Sequence, residues 1–257
     1  MQVRSSSPFF TPQGPLPGIR RLYRTTFMYG RLYKVLWKLL VRQPRTGGNG
    51  AAEGRPDAAE KKAAARRTPG PGYAVAFAGC RSGDGSSTMA FNFASAFAAN
   101  SSRSVILVDG NLHDPVLHHQ FTVKKKKGLS DLVTGRMDVE DVVTEVATGR
   151  YYFLQAGASV ANPTAVYESP AFAALMEKLR ERYDLVIVDA PPLVESPEAL
   201  VLAGGVDGVI MVLQAEQTRW DEARSAQDDL ASVGIPLLGA ILNKKQLVIP
   251  DVIARML

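Results

Sequence analysis

Residues 73–88 read Tyr-Ala-Val-Ala-Phe-Ala-Gly-Cys-Arg-Ser-Gly-Asp-Gly-Ser-Ser-Thr. An apolar run ends at Ala78, a Gly- and Ser-rich turn follows from Gly79, and Ser87–Ala99 then contains neither Gly nor Pro and reads as a helix. A strand that turns through glycines into a helix aims several backbone N–H groups at one point. The positive end of the helix dipole lies at the same point, so the turn forms a cradle for an anion such as phosphate. Taken alone, such a turn can also be merely tight. Phe91, Phe93 and Phe97 after it are most simply core residues.

Outward from this stretch, apolar runs recur at Ala74–Ala78, Val105–Asp109, Tyr152–Gln155, Leu185–Asp189, Gly208–Leu213 and Leu237–Leu242. Helical stretches separate several of them, at Ser87–Ala99, Pro170–Tyr183, Pro197–Ala203 and Asp221–Val233. Strands that are apolar on both faces, alternating with helices, predict an α/β fold with a mainly parallel sheet covered by helices on both faces. Such sheets bind ligands at the carboxyl ends of their strands. Two strands end there in an acid, VILVD at Asp109 and LVIVD at Asp189. With the Ser87 hydroxyl beside the cradle, these carboxylates supply the hard oxygen donors that a phosphate-bound Mg²⁺ needs, and either could orient an attacking group. They are the candidate catalytic and metal residues.

The phosphate-loop pattern requires a lysine before the hydroxyl residue, and this chain has Ser86 there. A lost charge-assisted hydrogen bond costs about 1.5–3 kcal/mol, which is about ten- to more than hundredfold in affinity. Loss of a preorganised donor costs about 10²–10³ in rate.

The 257 residues carry a net charge of +5, but unevenly. Residues 1–70 hold fourteen Lys/Arg against three Asp/Glu, whereas residues 71–257 hold sixteen against twenty-two. A basic tail on an acidic body points to an anionic partner for the tail. Within it, residues 1–18 and 43–72 are rich in Pro, Gly and Ser and are expected to be a disordered start and a flexible linker. Residues 19–42 place Leu22, Phe27, Leu32, Leu36 and Leu39 at helical spacing among arginines and lysines, which predicts a basic amphipathic helix. It packs on the body, docks on a protein partner, or lies on an anionic membrane surface. The folded domain is expected over 73–257. The single cysteine, Cys80, excludes an internal disulfide framework, and three histidines without a C-x-x-C pair argue against structural zinc. No apolar run has the length of a membrane span and no export signal is recognisable. Lys124–Lys127, His118 and His119 are given surface or helix roles, and Cys80 a packing role.

At these residues the chain resembles the cytoplasmic ATPase domain of the bacterial tyrosine kinases of capsule and exopolysaccharide synthesis. These belong to the deviant Walker A class of P-loop NTPases, with the septum-positioning and plasmid-partition ATPases. The resemblance covers about residues 73–250. It is carried by the cradle, by VILVDGNLHDPVLHHQF from Val105, by GLSDLVTG at 128–135, by the 154–192 segment ending in LVIVDAPP, and by DGVIMVLQAEQTR at 207–219. It implies that Gly83, Asp84, Gly85, Ser86, Ser87 and Thr88 bind the phosphates of ATP or ADP. It further implies that Ser87, Asp109 and Asp189 hold Mg²⁺, that Asn243 contacts adenine, and that Arg81 stands where the class carries a second lysine reaching across a dimer.

The chain departs from the pattern at Ser86, at Asn111 in place of a second acid, and at His113 in place of a basic residue. No tyrosine follows Tyr183, where the kinases carry a phosphorylated cluster, and the arginine-and-acid helix of the ring-forming kinases is not recognisable before the cradle. The expectation is a catalytically weakened relative, a nucleotide-binding or pseudo-enzymatic regulator of exopolysaccharide synthesis. It would sit in the cytoplasm, peripherally at the inner face of the plasma membrane, with a membrane polysaccharide co-polymerase or chain-length protein as partner. It would form homo-oligomers or act alone, and no nucleic acid partner is expected. The alternatives are an active Mg-ATP-dependent tyrosine kinase acting on a separate substrate, and a membrane-cycling positioning ATPase.

Overall fold

β1 (Tyr73–Gly79) is the strand around which the rest is arranged. Its Ala74, Ala76 and Ala78 face one layer of the core, and its Val75 and Phe77 face the other. The computed structural model describes residues 72–121, 127–135, 137–147 and 149–244. The expected disordered start, the basic helix at 19–42, the linker up to residue 71 and Lys124–Lys126 lie outside the described residues.

Seven strands form one sheet in the order β3-β4-β2-β5-β1-β6-β7. β2 (Val105–Asp109), β4 (Tyr151–Leu154), β5 (Leu185–Ala190), β6 (Val209–Gln214) and β7 (Leu237–Asn243) all run parallel to β1. β3 (Thr144–Ala147) lies antiparallel on β4, with a register shift between Glu145 and Ala147. This edge strand was not anticipated. Its four residues, Thr-Glu-Val-Ala, begin with two polar positions, and it lacks the continuous apolar run that marks the inner strands.

β5 is buried along its whole length between β1 and β2, as the apolar run Leu185–Val188 before Asp189 leads one to expect. One face of the sheet is covered by α1 (Ser86–Asn100) through Met89, Phe93 and Phe97, packed on Val75, Phe77, Leu107 and Ile187. Phe93 meets Phe77 at 5.5 Å between ring centroids, while Phe91 lies half-buried at the margin, edge-on to Phe121. The other face is covered by α5 (Pro170–Arg182) and α6 (Glu198–Ala203). α7 (Trp220–Ser232) precedes β7 and buries Ala226 and Leu230 in the same layer.

Three short α-helices, α2 (Leu129–Val133), α3 (Val139–Val142) and α4 (Pro163–Tyr167), and a 3₁₀ turn at Leu117–His119 complete the described set. Capping fixes the entry to α4 and α5. Asn162 accepts a hydrogen bond from the Ala165 N–H at 3.3 Å and Ser169 from the Phe172 N–H at 3.1 Å, each with a proline at the first helical position. The GLSDLVTG segment is a clasp: Asp131 Oδ2 accepts from the N–H groups of Gly128 and Ala158, pinning α2 to the loop after β4. No helix among the described residues is long and apolar enough to cross a membrane.

Candidate functional site

The turn from β1 into α1 uses glycines where the backbone leaves the region open to other residues. Gly83 and Gly85 have φ of +85° and +96°, and the helix begins at Ser86 directly after Gly85. No side chain caps this helix, so its first N–H groups are left for another acceptor. The α1 N-terminus thus meets the requirement that the sequence placed there.

The turn is braced from outside. Buried Asp84 accepts from the Arg81 N–H at 2.9 Å through Oδ2 and from the Thr218 hydroxyl at 3.1 Å through Oδ1. Asn243 Nδ2 donates to the Asp84 carbonyl at 2.8 Å, and Lys244 Nζ donates to the Gly83 carbonyl at 2.6 Å. The Ser82 N–H donates to Glu195 Oε2 at 3.1 Å. Arg81 is held within the chain: its guanidinium lies 3.1 Å from Glu222 Oε1 on α7. Cys80 is buried, and burial pushes its thiol up to about 11, which leaves it a packing residue rather than a nucleophile.

Asp109 and Asp189 are register partners at the carboxyl ends of β2 and β5, and both are fully buried. Asp109 Oδ2 accepts from the Leu117 N–H at 3.2 Å, but its Oδ1 has no hydrogen-bond partner. Neither carboxylate oxygen of Asp189 has one. The hydroxyls of Ser87 and Ser86 lie near enough to favour the charged form of Asp189, yet neither completes a well-formed hydrogen bond. Burial raises the Asp109 carboxyl to about 7. Burial first, and then the neighbouring Asp109 charge, hold Asp189 well above the usual carboxylate range.

The turn after β2 is equally constrained. The Tyr167 hydroxyl donates to the Gly110 carbonyl at 2.6 Å, and a β-carbon on Gly110 would come within 2.6 Å of Val188.

Every residue singled out from the sequence therefore lies at one end of the sheet. Gly83, Asp84, Gly85, Ser86, Ser87 and Thr88 form the turn and the first helical residues, Arg81 precedes them, Asn243 backs them, and Asp109 and Asp189 stand on adjacent strands. The sequence reading missed Thr218, Glu222, Glu195, Lys244 and Tyr167. Their signal is positional: all but Tyr167 sit in or just after the loops that follow β5, β6 and β7, at the same end as the cradle.

Three buried carboxylate oxygens without partners, beside a hydroxyl and an anion cradle, fit a hard divalent cation. Among the described residues no group of three or more His, Cys, Asp or Glu side chains is arranged to hold a metal by itself. Ser87, Asp109 and Asp189 would therefore share Mg²⁺ with phosphate oxygens and water.

No family model matches the chain. Curated relatives do match. Tyrosine-protein kinase YwqD of Bacillus subtilis strain 168 is 31% identical over 165 residues, covering 64% of this chain and 69% of YwqD. Among solved structures, the VpsO kinase domain superposes with a TM-score of 0.65 at 28% identity, covering 74% of this chain and 92% of that domain. The septum site-determining protein MinD of Pyrococcus horikoshii, complexed with Mg-ADP, shares the fold at a TM-score of 0.58 and 20% identity. The mainly parallel sheet is that of the MinD-like P-loop NTPases, and by its sequence the chain belongs to the bacterial tyrosine-protein kinases.

Proposed function

We propose that this chain is a catalytically weakened member of its family that binds Mg-ATP or Mg-ADP and regulates exopolysaccharide or capsule synthesis. One observation carries the reading. The buried Asp109–Asp189 pair is kept beside Ser87, with oxygens unpartnered, although the lysine position of the cradle holds Ser86. Two uncompensated buried carboxylates are costly, and a fold that had lost its ligand has no physical reason to keep them.

The roles divide as follows. Backbone N–H groups of Gly83 and of Gly85–Thr88, with the α1 dipole, would hold the phosphates, the Asp84 N–H being given to the Arg81 carbonyl, and Asn243 backs the turn on the side where adenine is expected. Mg²⁺, when bound, would neutralise phosphate charge. What is missing is the ammonium that stabilises charge developing on a transferred phosphoryl group, and Arg81 is engaged by Glu222. Binding should therefore survive better than turnover. A membrane co-polymerase or chain-length protein as partner, docking through residues 19–42 on that protein or on an anionic inner membrane surface, belongs to the same proposal.

Calorimetric titration of the full chain with ATP and ADP, with and without Mg²⁺, tests the nucleotide reading. Micromolar Mg²⁺-dependent binding with little phosphate transfer is expected. Absence of binding by the native chain alongside binding by Ser86→Lys would overturn it and leave an interaction scaffold. Transfer of labelled phosphate to tyrosine, lost in Asp109→Asn, would instead establish an active kinase. In the host, unchanged amount and length of polysaccharide after deletion would sink the regulatory role.

A further inference from the structure

Resting on the nucleotide-binding reading, we infer that Lys244 is the cation of the phosphate cradle, acting in place of the lysine absent at position 86. Two positively charged side chains touch the turn among the described residues. Arg81 is not available to an anion in the same way, because its guanidinium is 3.1 Å from the Glu222 carboxylate. Lys244 has a different set of neighbours. Its ammonium donates to the Gly83 carbonyl at 2.6 Å and to Gln214 Oε1 at 3.0 Å. Both acceptors are uncharged, so neither is a carboxylate that would offset the ammonium at the rim of the turn.

The placement of that ammonium is specified by its neighbours. Lys244 adopts φ of +55°, a left-handed conformation uncommon for a side chain of its size. The strain is held by Asn243, whose Oδ1 accepts the Lys244 N–H at 2.8 Å while its Nδ2 donates to the Asp84 carbonyl. Consecutive residues at the end of β7 thus take consecutive carbonyls of the turn, Gly83 and Asp84. With two carbonyl oxygens engaged and the Asp84 N–H given to the Arg81 carbonyl, the N–H groups at the start of α1 and the Lys244 ammonium supply the positive potential that an incoming phosphate meets. A lysine reaching the turn from the end of β7 differs from one inside it. It adds attraction for the ground-state anion without sitting at the transferred group, which suits a site that binds more than it turns over.

The test uses the full chain, its Lys244→Met and Lys244→Arg variants, and two ligands, ADP and inorganic tripolyphosphate, with Mg²⁺, titrated at low and high salt. Lys244→Met should weaken both ligands about tenfold at low salt, the gap should narrow as salt screens the charge, and Lys244→Arg should retain most of the affinity. Equal binding by native chain and Lys244→Met overturns the inference while leaving the nucleotide reading intact. A loss in Lys244→Arg as large as in Lys244→Met also overturns it, since charge would not be what matters. Tripolyphosphate bound through Lys244, with ADP bound no more tightly, would retain Lys244 as the cradle's cation and remove the nucleotide reading. A native chain that binds neither ligand overturns both.

Discussion

The side-chain amide of Asn243 occupies, with its Nδ2, the space that a β-carbon on Gly85 would need. Gly85 also has φ of +96°. Gly85→Ala therefore meets two penalties of different origin. The left-handed backbone costs about 1–2 kcal/mol for a residue with a β-carbon. Displacing the flexible amide also breaks its bond to the Asp84 carbonyl, at about 1 kcal/mol. A loss of about 2–3 kcal/mol is expected by denaturant titration. In the Gly85→Ala/Asn243→Ala double variant the losses should fall short of additivity by about 1 kcal/mol, because the amide can be displaced only once. Full additivity would mean that the two residues do not compete for space.

The carboxylate pair predicts an unusual response to pH. A carboxyl whose folded-state pKa is raised binds its proton more tightly when folded, so its contribution to stability is full below the unfolded value near 4 and is lost as pH rises through the folded value. For Asp109 that loss runs up to about 7, and Asp189 extends it in the same direction. Melting without Mg²⁺ should thus show stability declining from about pH 4 to above pH 7 on account of this pair. Asp109→Asn should raise the midpoint by about 3–6 °C at pH 8, leave it little changed near pH 5, and reduce the stabilisation given by Mg²⁺. A native chain whose Mg²⁺ response is as large at pH 5 as at pH 8 would contradict the pairing.

Ser86→Lys should restore the missing ammonium next to Asp189. Its expected effect on Mg-nucleotide affinity is a gain of about ten- to hundredfold, the equivalent of one charge-assisted hydrogen bond. Without nucleotide, the new cation should lower the Asp189 pKa and flatten the pH dependence described above. Calorimetry reads the first effect and thermal melting the second. A gain in affinity with no change in the melting profile would place the new ammonium away from the carboxylates.

The Asp84 side chain braces the turn through the Arg81 N–H and the Thr218 hydroxyl. Asp84→Ala removes the acceptors of the Arg81 N–H and the Thr218 hydroxyl and should destabilise the chain by about 1.5–3 kcal/mol. Asp84→Asn, which keeps an oxygen acceptor, should cost about half as much. Hydrogen exchange at Arg81 and its neighbours should speed up in the alanine variant. If both variants weaken nucleotide binding equally without loss of stability, Asp84 belongs instead to the ligand contacts.

Five of the six apolar runs correspond to the inner strands, because a strand covered on both faces has few polar positions to disguise it; the sixth is β7, an edge strand whose sequence is apolar although of its residues only Ile241 is buried. β5 is the clearest case, with every residue from Leu185 to Ala190 buried. β3 was not legible because its Thr144 and Glu145 belong to an edge. The short helices α2, α3 and α4 were missed for another reason: four or five residues are too few for a helical period to register. At the site, Gly83, Gly85, Asp109 and Asp189 were legible because backbone conformation and strand position demand particular residues there. Glu222 and Lys244 were not, since a Glu or Lys outside a motif has many ordinary uses and only the fold brings α7 and the end of β7 against the turn. Their partners, Arg81 and Gly83, are more than a hundred positions away in the chain.

That separation carries a consequence for how the molecule is made. The turn at Gly83–Asp84 is tied by Asn243 and Lys244 across 159 and 161 positions, and loop closure over such a span is slow. During synthesis from the N-terminus, the earlier strands can begin to associate while the cradle still lacks its outer support. If the chain binds nucleotide as proposed, ligand-assisted folding would draw on the fully braced cradle only after β7 has emerged and docked.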